Sequence, residues 1–312
     1  MKKKTILTIL LGIMALTANA QFLFRISGGG QEKPSYMLGT IHTLHGAVLD
    51  YTPEYTEAEA QCQQFYTEFD ISDQGNMDEL NRTGQQLMQL PEGKTIFDVL
   101  SKEQGEALDS RMFEVVHVHL TDSAMKPLLN FQPMLFTVML TTYMTQEALK
   151  YGPKSNSQSA PIDVTCILRA KLRGMEMGQL DEALYQDSIA KVQEQLMKNM
   201  DAQVDSLMSI VNNYDQRLKA AIDEMEILKQ SVTYWCLKNY KSFANMDFWK
   251  KSLASNPALF QKRNEKWLPR MKDAMQKAPT MFVFGAGHLI GERGVIQLLR
   301  GAGYTVEQVK GK

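Results

Sequence analysis

Two segments near opposite ends of the chain share one grammar, and together they constrain the fold more than any other feature. Leu38-Gly39-Thr40-Ile41-His42 and Phe284-Gly285-Ala286-Gly287-His288 both run strand, glycine, two residues, histidine. Glycine at the C-terminal end of a strand lets the backbone turn sharply and lets other groups approach it. In a parallel or mixed sheet, ligands gather in the crevice beyond the strand C-termini. If these two strands are neighbours, His42 and His288 face each other across that crevice. A single such histidine is more often a turn residue than a ligand; the pairing gives the motif its weight.

The segments around them have sheet and helix character in turn. Tyr36 to Ile41 is a short apolar run that predicts a buried strand, and Pro53 to Cys62 has helical composition with proline in its first turn. Gln64 to Ile71 alternates, with Phe65, Thr67 and Phe69 on one side and Tyr66, Glu68 and Asp70 on the other, which predicts a strand with a carboxylate face. Met77 to about Lys150 reads as helical, Tyr151 to Pro161 as a polar loop, and Ile162 to Leu172 as another helix. Gly174 to Met177 predicts a short strand or turn. Leu180 to Lys229 carries apolar residues at spacings of three and four, the mark of an amphipathic helix or hairpin, with Asn213 as a break. Met281 to Phe284, a helix from about Gly291 to Leu299 and a strand opening at Tyr304 end the pattern. The expectation is an α/β (α+β) fold: a central mixed sheet formed by N- and C-terminal strands, flanked by helices. A single domain over 21–312 would carry a helical insertion at about 180–278, of which Leu180 to Lys229 would shape or cover the cleft.

Residues 1–20 have a different character. Lys2 to Lys4, an apolar run from Ile6 to Leu16 and Ala18-Asn19-Ala20 form a secretory signal-peptide pattern with cleavage after Ala20. The run is too short for a membrane span, so an exported protein, periplasmic or secreted, with no membrane span after signal removal is expected. With 34 Lys plus Arg against 35 Asp plus Glu, the chain has no polyanion-binding signature, and nucleic acid is not an expected partner. Cys62, Cys166 and Cys236 sit among apolar neighbours without any CxxC, which favours three small buried core residues over a metal site.

Chemistry therefore falls to the histidines and the acids near them. Two imidazoles and Glu68 form a three-ligand set for a divalent ion (Zn²⁺, Mn²⁺ or Co²⁺) that leaves one position for water. His45 reads either as a further ligand or supporting partner, or as a solvent-facing loop residue. His117 and His119 close a helix, where cations suit the dipole, and are read as structural. GAGHLIG lacks the GxGxxG order of a dinucleotide site.

Five stretches, YMLGTIHTLHG (36–46), FYTEFDI (65–71), PIDVTCILRAKLRGMEM (161–177), QKRNEKWLPRM (261–271) and FVFGAGHLIGERGVIQLLRGAGYTV (282–306), resemble the TraB/GumN family, which includes the Tiki proteins described as metalloproteases. The resemblance covers most of the chain after residue 20 and implies a metal-dependent hydrolase-like fold. Carried over by position, its histidines fall on His42 and His288, its glutamate on Glu68 and its Arg-Asn pair on Arg263-Asn264. Its middle acids fall on Asp163 and Glu176. The family often has glycine before the middle aspartate where this chain has Pro161-Ile162, and no catalytic role is assigned to either acid. The function expected is hydrolysis of a peptide or protein, with the metal lowering the pKa of its water from near 16 to roughly 7. Arg263 would stabilise the oxyanion with Asn264 as a hydrogen-bond donor, although the same pair could lie on a solvated helix face. If another group holds the metal, Glu68 becomes the general base. The alternative is a non-catalytic protein binding haem or a peptide on the same scaffold, the paired histidines serving as axial haem ligands.

Overall fold

The computed structural model describes residues 20–70, 89–154, 160–181 and 199–311. The expected signal peptide and parts of the segments beginning at Met77, Tyr151 and Leu180 lie outside them. Six strands are β1 (Ala20–Gly28), β2 (Ser35–Thr40), β3 (Gln64–Thr67), β4 (Glu176–Gln179), β5 (Thr280–Gly285) and β6 (Tyr304–Lys310). The helices are α1 (Pro53–Glu59), α2 (Lys102–Val116), α3 (Pro133–Leu149), α4 (Ile162–Leu172), α5 (Met200–Cys236), α6 (Tyr240–Ala244), α7 (Asp247–Ser255), α8 (Gln261–Lys277) and α9 (Val295–Gly301). The backbone of α5 leaves helical geometry at Asn213, where the sequence placed a break.

The chain divides into two compact units, one formed by residues up to Asp70, Ser155–Asp181 and Gln230–Lys312, the other by Ile71–Lys154 and Glu182–Lys229. The first contains the whole sheet, in the order β4-β3-β5-β2-β1-β6. β2, β3 and β4 join β5 in one parallel set, with Thr40 opposite Gly285 and Thr67 opposite Val283. β1 is antiparallel to both β2 and β6. The sheet is mixed, as expected, and the two Gly-x-x-His strands are direct parallel neighbours.

Burial explains why each strand forms. All six residues of β2 are buried, as for an interior parallel strand covered on both faces. β6, at the edge, alternates buried Tyr304 and Val306 with exposed Thr305 and Glu307. Phe282 and Phe284 join Phe24, Met37, Trp267 and Leu299 in a core beneath α8 and α9. Helix α8 turns Asn264, Trp267, Met271, Ala274 and Met275 inward at helical spacing. The second unit packs α2, α3 and the first part of α5 around Leu108, Met112, Phe136, Leu140 and Leu207.

Three sequence expectations need correction. β1 is a strand that the spacing did not reveal; its apolar residues follow directly on the signal-like run and blend with it. β3 stops at Thr67, short of the expected end, where the Gly285 N–H donates to the Glu68 side chain. Cys62 and Cys166 are buried free thiols, but Cys236, in the last turn of α5, is exposed.

Candidate active site

Each of the four parallel strands delivers a polar side chain just beyond its C-terminal end. His42 follows β2, Glu68 follows β3, Asp181 follows β4, and His288 lies in the short 3-10 turn Ala286–Leu289 after β5. Two helices complete the group: Asp163 lies in the first turn of α4, and α8 contributes Arg263, Asn264 and Trp267. All belong to the sheet-bearing unit. A mixed sheet whose parallel strands end in register gathers chemistry at that edge from sequence-distant residues.

His42 is held through one ring nitrogen. Its Nδ1 lies 2.8 Å from Asp163 Oδ2, and the Thr40 hydroxyl donates to the other oxygen of that carboxylate. The hydrogen bond to Asp163 pushes the pKa of His42 up to about 9, overcoming partial desolvation. The ring edge remains largely open, with the side chain 69% exposed. A Cβ on Gly285 would lie 3.4 Å from His42 Nε2 and 3.3 Å from Glu68 Oε1, so both atoms come close to the same point above Gly285.

His288 uses the same device with an uncharged partner. Its Nδ1 lies 2.6 Å from Asn264 Oδ1, and the Asn264 amide nitrogen donates to the carbonyls of His288 and Arg293. Because Asn264 Nδ2 is the donor to two carbonyls, Oδ1 must accept, which fixes the proton on His288 Nδ1 and leaves Nε2 as the acceptor. The ring is only 3% exposed and packs on Trp267, Phe260 and Phe284. Burial pushes its pKa down to about 3, opposed by the Glu68 charge and reinforced by Arg263, so the imidazole is neutral.

Glu68 lies between the histidines. Its Oε1 accepts the Gly285 N–H at 2.7 Å, and its Oε2 accepts Arg263 Nη2 at 2.5 Å with His288 Nε2 at 4.0 Å. Burial alone would raise its pKa; the positive charges beside it and the Gly285 N–H outweigh that and hold the carboxyl below its ordinary value. Arg263 also donates to Asp181 Oδ2 at 2.6 Å and to His288 Nε2 at 3.2 Å, and its guanidinium lies 4.8 Å from the Trp267 ring centre. Trp267 Nε1 donates to the remaining Asp181 oxygen at 2.6 Å.

The structure thus brings His42, Glu68, Arg263, Asn264 and His288 together. His45 has a different place: its Nδ1 accepts the Ala47 N–H and caps the 3-10 turn Gly46–Tyr51. Asn264 lies behind His288, with its amide donors already engaged. Sequence reasoning missed Asp181 and Trp267 and gave Asp163 no role. The signals available were an acid directly after a short strand and a tryptophan one helical turn beyond Arg263. In the other unit, His117 ends α2 in the left-handed conformation (φ 59°) and His119 pairs with Asp109 at 2.8 Å, in keeping with a structural role.

In kind, two imidazoles and a carboxylate are donors that a divalent cation accepts. Two neutral-capable imidazoles present Nε2 toward one carboxylate, each fixed through Nδ1 by an oxygen of the protein, the arrangement that usually surrounds metal-bound histidine. Among the described residues no three His, Cys, Asp or Glu side chains are drawn close enough to enclose an ion as they stand. The guanidinium of Arg263, a stand-in cation, bonds both Glu68 Oε2 and His288 Nε2. No described helix is long and apolar enough to cross a membrane.

The chain is 25% identical over 328 residues to a protein named metalloprotease TIKI1 from Xenopus tropicalis, an alignment covering 88% of this chain and 59% of that protein. It is 23% identical over 323 residues to metalloprotease TIKI2 of Danio rerio, covering 92% and 60%. The chain therefore spans about three-fifths of the length of these relatives. No solved structure matches it. The profile of the TraB/PrgY/gumN family matches residues 22–308, nearly the whole sequence, and the chain belongs to that family.

Proposed function

We propose that the protein is a metal-dependent hydrolase of peptide bonds, with His42, His288 and Glu68 holding a divalent cation (Zn²⁺, Mn²⁺ or Co²⁺). The observation that carries this reading is the matched pair of Nδ1 bonds, from His42 to Asp163 and from His288 to Asn264, which turn both Nε2 atoms toward Glu68. The relatives named as metalloproteases make a peptide or protein the substrate class to test first. When bound, the cation would supply Lewis acidity toward a carbonyl and toward water.

The chain's own residues divide the remaining work. Asp163 and Asn264 orient the two imidazoles. Arg263 supplies a positive charge at the edge of the site, where it would stabilise negative charge developing on a reacting oxygen. His288, Phe260 and Trp267 form the dry wall of the site, while the exposed edge of His42 marks the side from which substrate enters. The haem alternative finds less support: a macrocycle cannot reach a ring as enclosed as His288, whose Nε2 is bonded to Arg263. Export belongs to the same reading, and the purified secreted protein is then expected to begin at Gln21. The direct test is peptide hydrolysis by the wild type, His42→Ala and His288→Ala, with and without chelator. Activity that is chelator-sensitive in the wild type and absent from both variants is expected. Equal activity in all three, indifferent to chelator, would reject the reading.

A further inference from the structure

Arg263 occupies the atoms that the proposed cation would need. Its Nη2 bonds Glu68 Oε2 at 2.5 Å and its Nη1 reaches His288 Nε2 at 3.2 Å. Glu68 Oε1 is engaged by the Gly285 N–H, and His288 Nδ1 by Asn264, so the two atoms covered by the guanidinium are the ones those residues have left for a ligand. An arginine is always protonated, and one buried beside a carboxylate and an imidazole Nε2 is a cation in residence.

A second station for the same guanidinium lies alongside. Asp181 Oδ2 accepts Nη2 at 2.6 Å, and the face of Trp267 lies 4.8 Å from the guanidinium carbon. Trp267 is itself fixed, because its Nε1 donates to Asp181 Oδ1. The Arg263 Nε is buried without a partner, so the fork has not used all its donors in the present arrangement. Asp181 is 8% exposed, and its attachment to the end of β4 and to Trp267 makes it a rigid acceptor.

Resting on the metal-site reading above, we infer that Arg263 and the cation exclude one another at Glu68 and His288. In the cation-free protein the guanidinium bridges Glu68, His288 and Asp181. Cation binding sends it back onto Asp181 and Trp267 alone. Arg263 is then a positioning residue that, without the cation, balances the charge of the buried Glu68 carboxylate and gives His288 Nε2 a hydrogen-bond donor, and Asp181 is the acceptor that makes its withdrawal possible. The cation's apparent affinity is its intrinsic affinity multiplied by the fraction of molecules in which the arginine is withdrawn.

The test is titration of the full chain, stripped with chelator, with Co²⁺ alone, followed by calorimetry and by the visible absorption of the bound ion. Arg263→Lys keeps the charge but replaces the planar fork, whose two nitrogens reach Glu68 and His288 separately, with one flexibly held ammonium, so it is expected to bind Co²⁺ on the order of tenfold more tightly than the wild type. A purely electrostatic effect of the charge would leave it unchanged. Asp181→Asn keeps an acceptor for Trp267 but removes the second ion pair, and is expected to bind several-fold more weakly. The second variant also decides the matter if the first does not fold. Unchanged or weaker binding by Arg263→Lys, or unchanged binding by Asp181→Asn, overturns the inference while Co²⁺ binding by the wild type leaves the metal site standing. No binding by the wild type or either variant removes both.

Discussion

His42 and His288 show how one device gives two electrostatic outcomes. Each ring is fixed through Nδ1, but His42 has a carboxylate partner and an open edge, whereas His288 has an amide partner and almost no exposure. The first is driven toward its charged form and the second toward neutrality. The two partners should therefore fail differently. Asp163→Asn is expected to lower cation affinity by about 10- to 100-fold, the usual consequence of disturbing a partner of a metal-bound histidine; calorimetry on the metal-free protein measures it, and unchanged affinity would contradict the role. Asn264→Ala leaves buried His288 Nδ1 and two carbonyls unpaired, and is expected to cost about 1–3 kcal/mol of stability in denaturant titrations. The thiols make a separate residue-scale case. Burial pushes Cys62 and Cys166 up to about 12, so little thiolate forms at pH 8. One thiol per native chain, that of exposed Cys236, should react with a thiol reagent at that pH, and three after unfolding. As pH rises past 9, the unfolded chain loses thiol protons that the folded chain keeps, so these two groups make the fold less stable toward alkaline pH.

At the level of elements, the parallel register of β2, β3, β4 and β5 turns four separate sequence positions into one edge. Thr40 stands opposite Gly285 and Thr67 opposite Val283 and Gln179, so the residues just beyond these strands leave the sheet together. Space at the exits is set by glycine. A Cβ on Gly39 would meet Leu289 Cδ1 at 2.5 Å, Ala286 Cα at 3.0 Å and Ala286 Cβ at 3.1 Å. Ala286 opens the turn that carries His288, so Gly39→Ala must push that turn away from β2. The expected cost is roughly 1–3 kcal/mol, read from the shift in denaturation midpoint, together with weaker cation binding. A variant as stable as wild type would show that the turn is not held against β2. Within α8, helical spacing sets Arg263 toward the strand ends while Asn264 and Trp267 stay buried beneath.

For the molecule as a whole, what the sequence disclosed was what local physics dictates. The two strand–glycine–histidine segments and the Asn213 break follow from short-range patterning. β1 did not, because its apolar residues run on from a leader-like stretch and its partners β2 and β6 are defined only by the folded sheet. Asp181 was hidden for the same reason: it reaches Arg263 only because β4 pairs with β3, a contact that has no periodicity to reveal it. Asp163 was present in the quoted motif, yet its function depends on α4 starting beside the end of β2. The candidate site was legible in the side-chain types that gather at it and illegible in the partners that orient them, since those are set by topology. The central claim is that histidines from two neighbouring strands share one cation, and X-ray absorption at the metal edge of the Zn²⁺-loaded protein tests it most directly. Two imidazole ligands in the wild type, falling to one in His42→Ala and to one in His288→Ala, is the expected result; an imidazole count that neither substitution changes would contradict it.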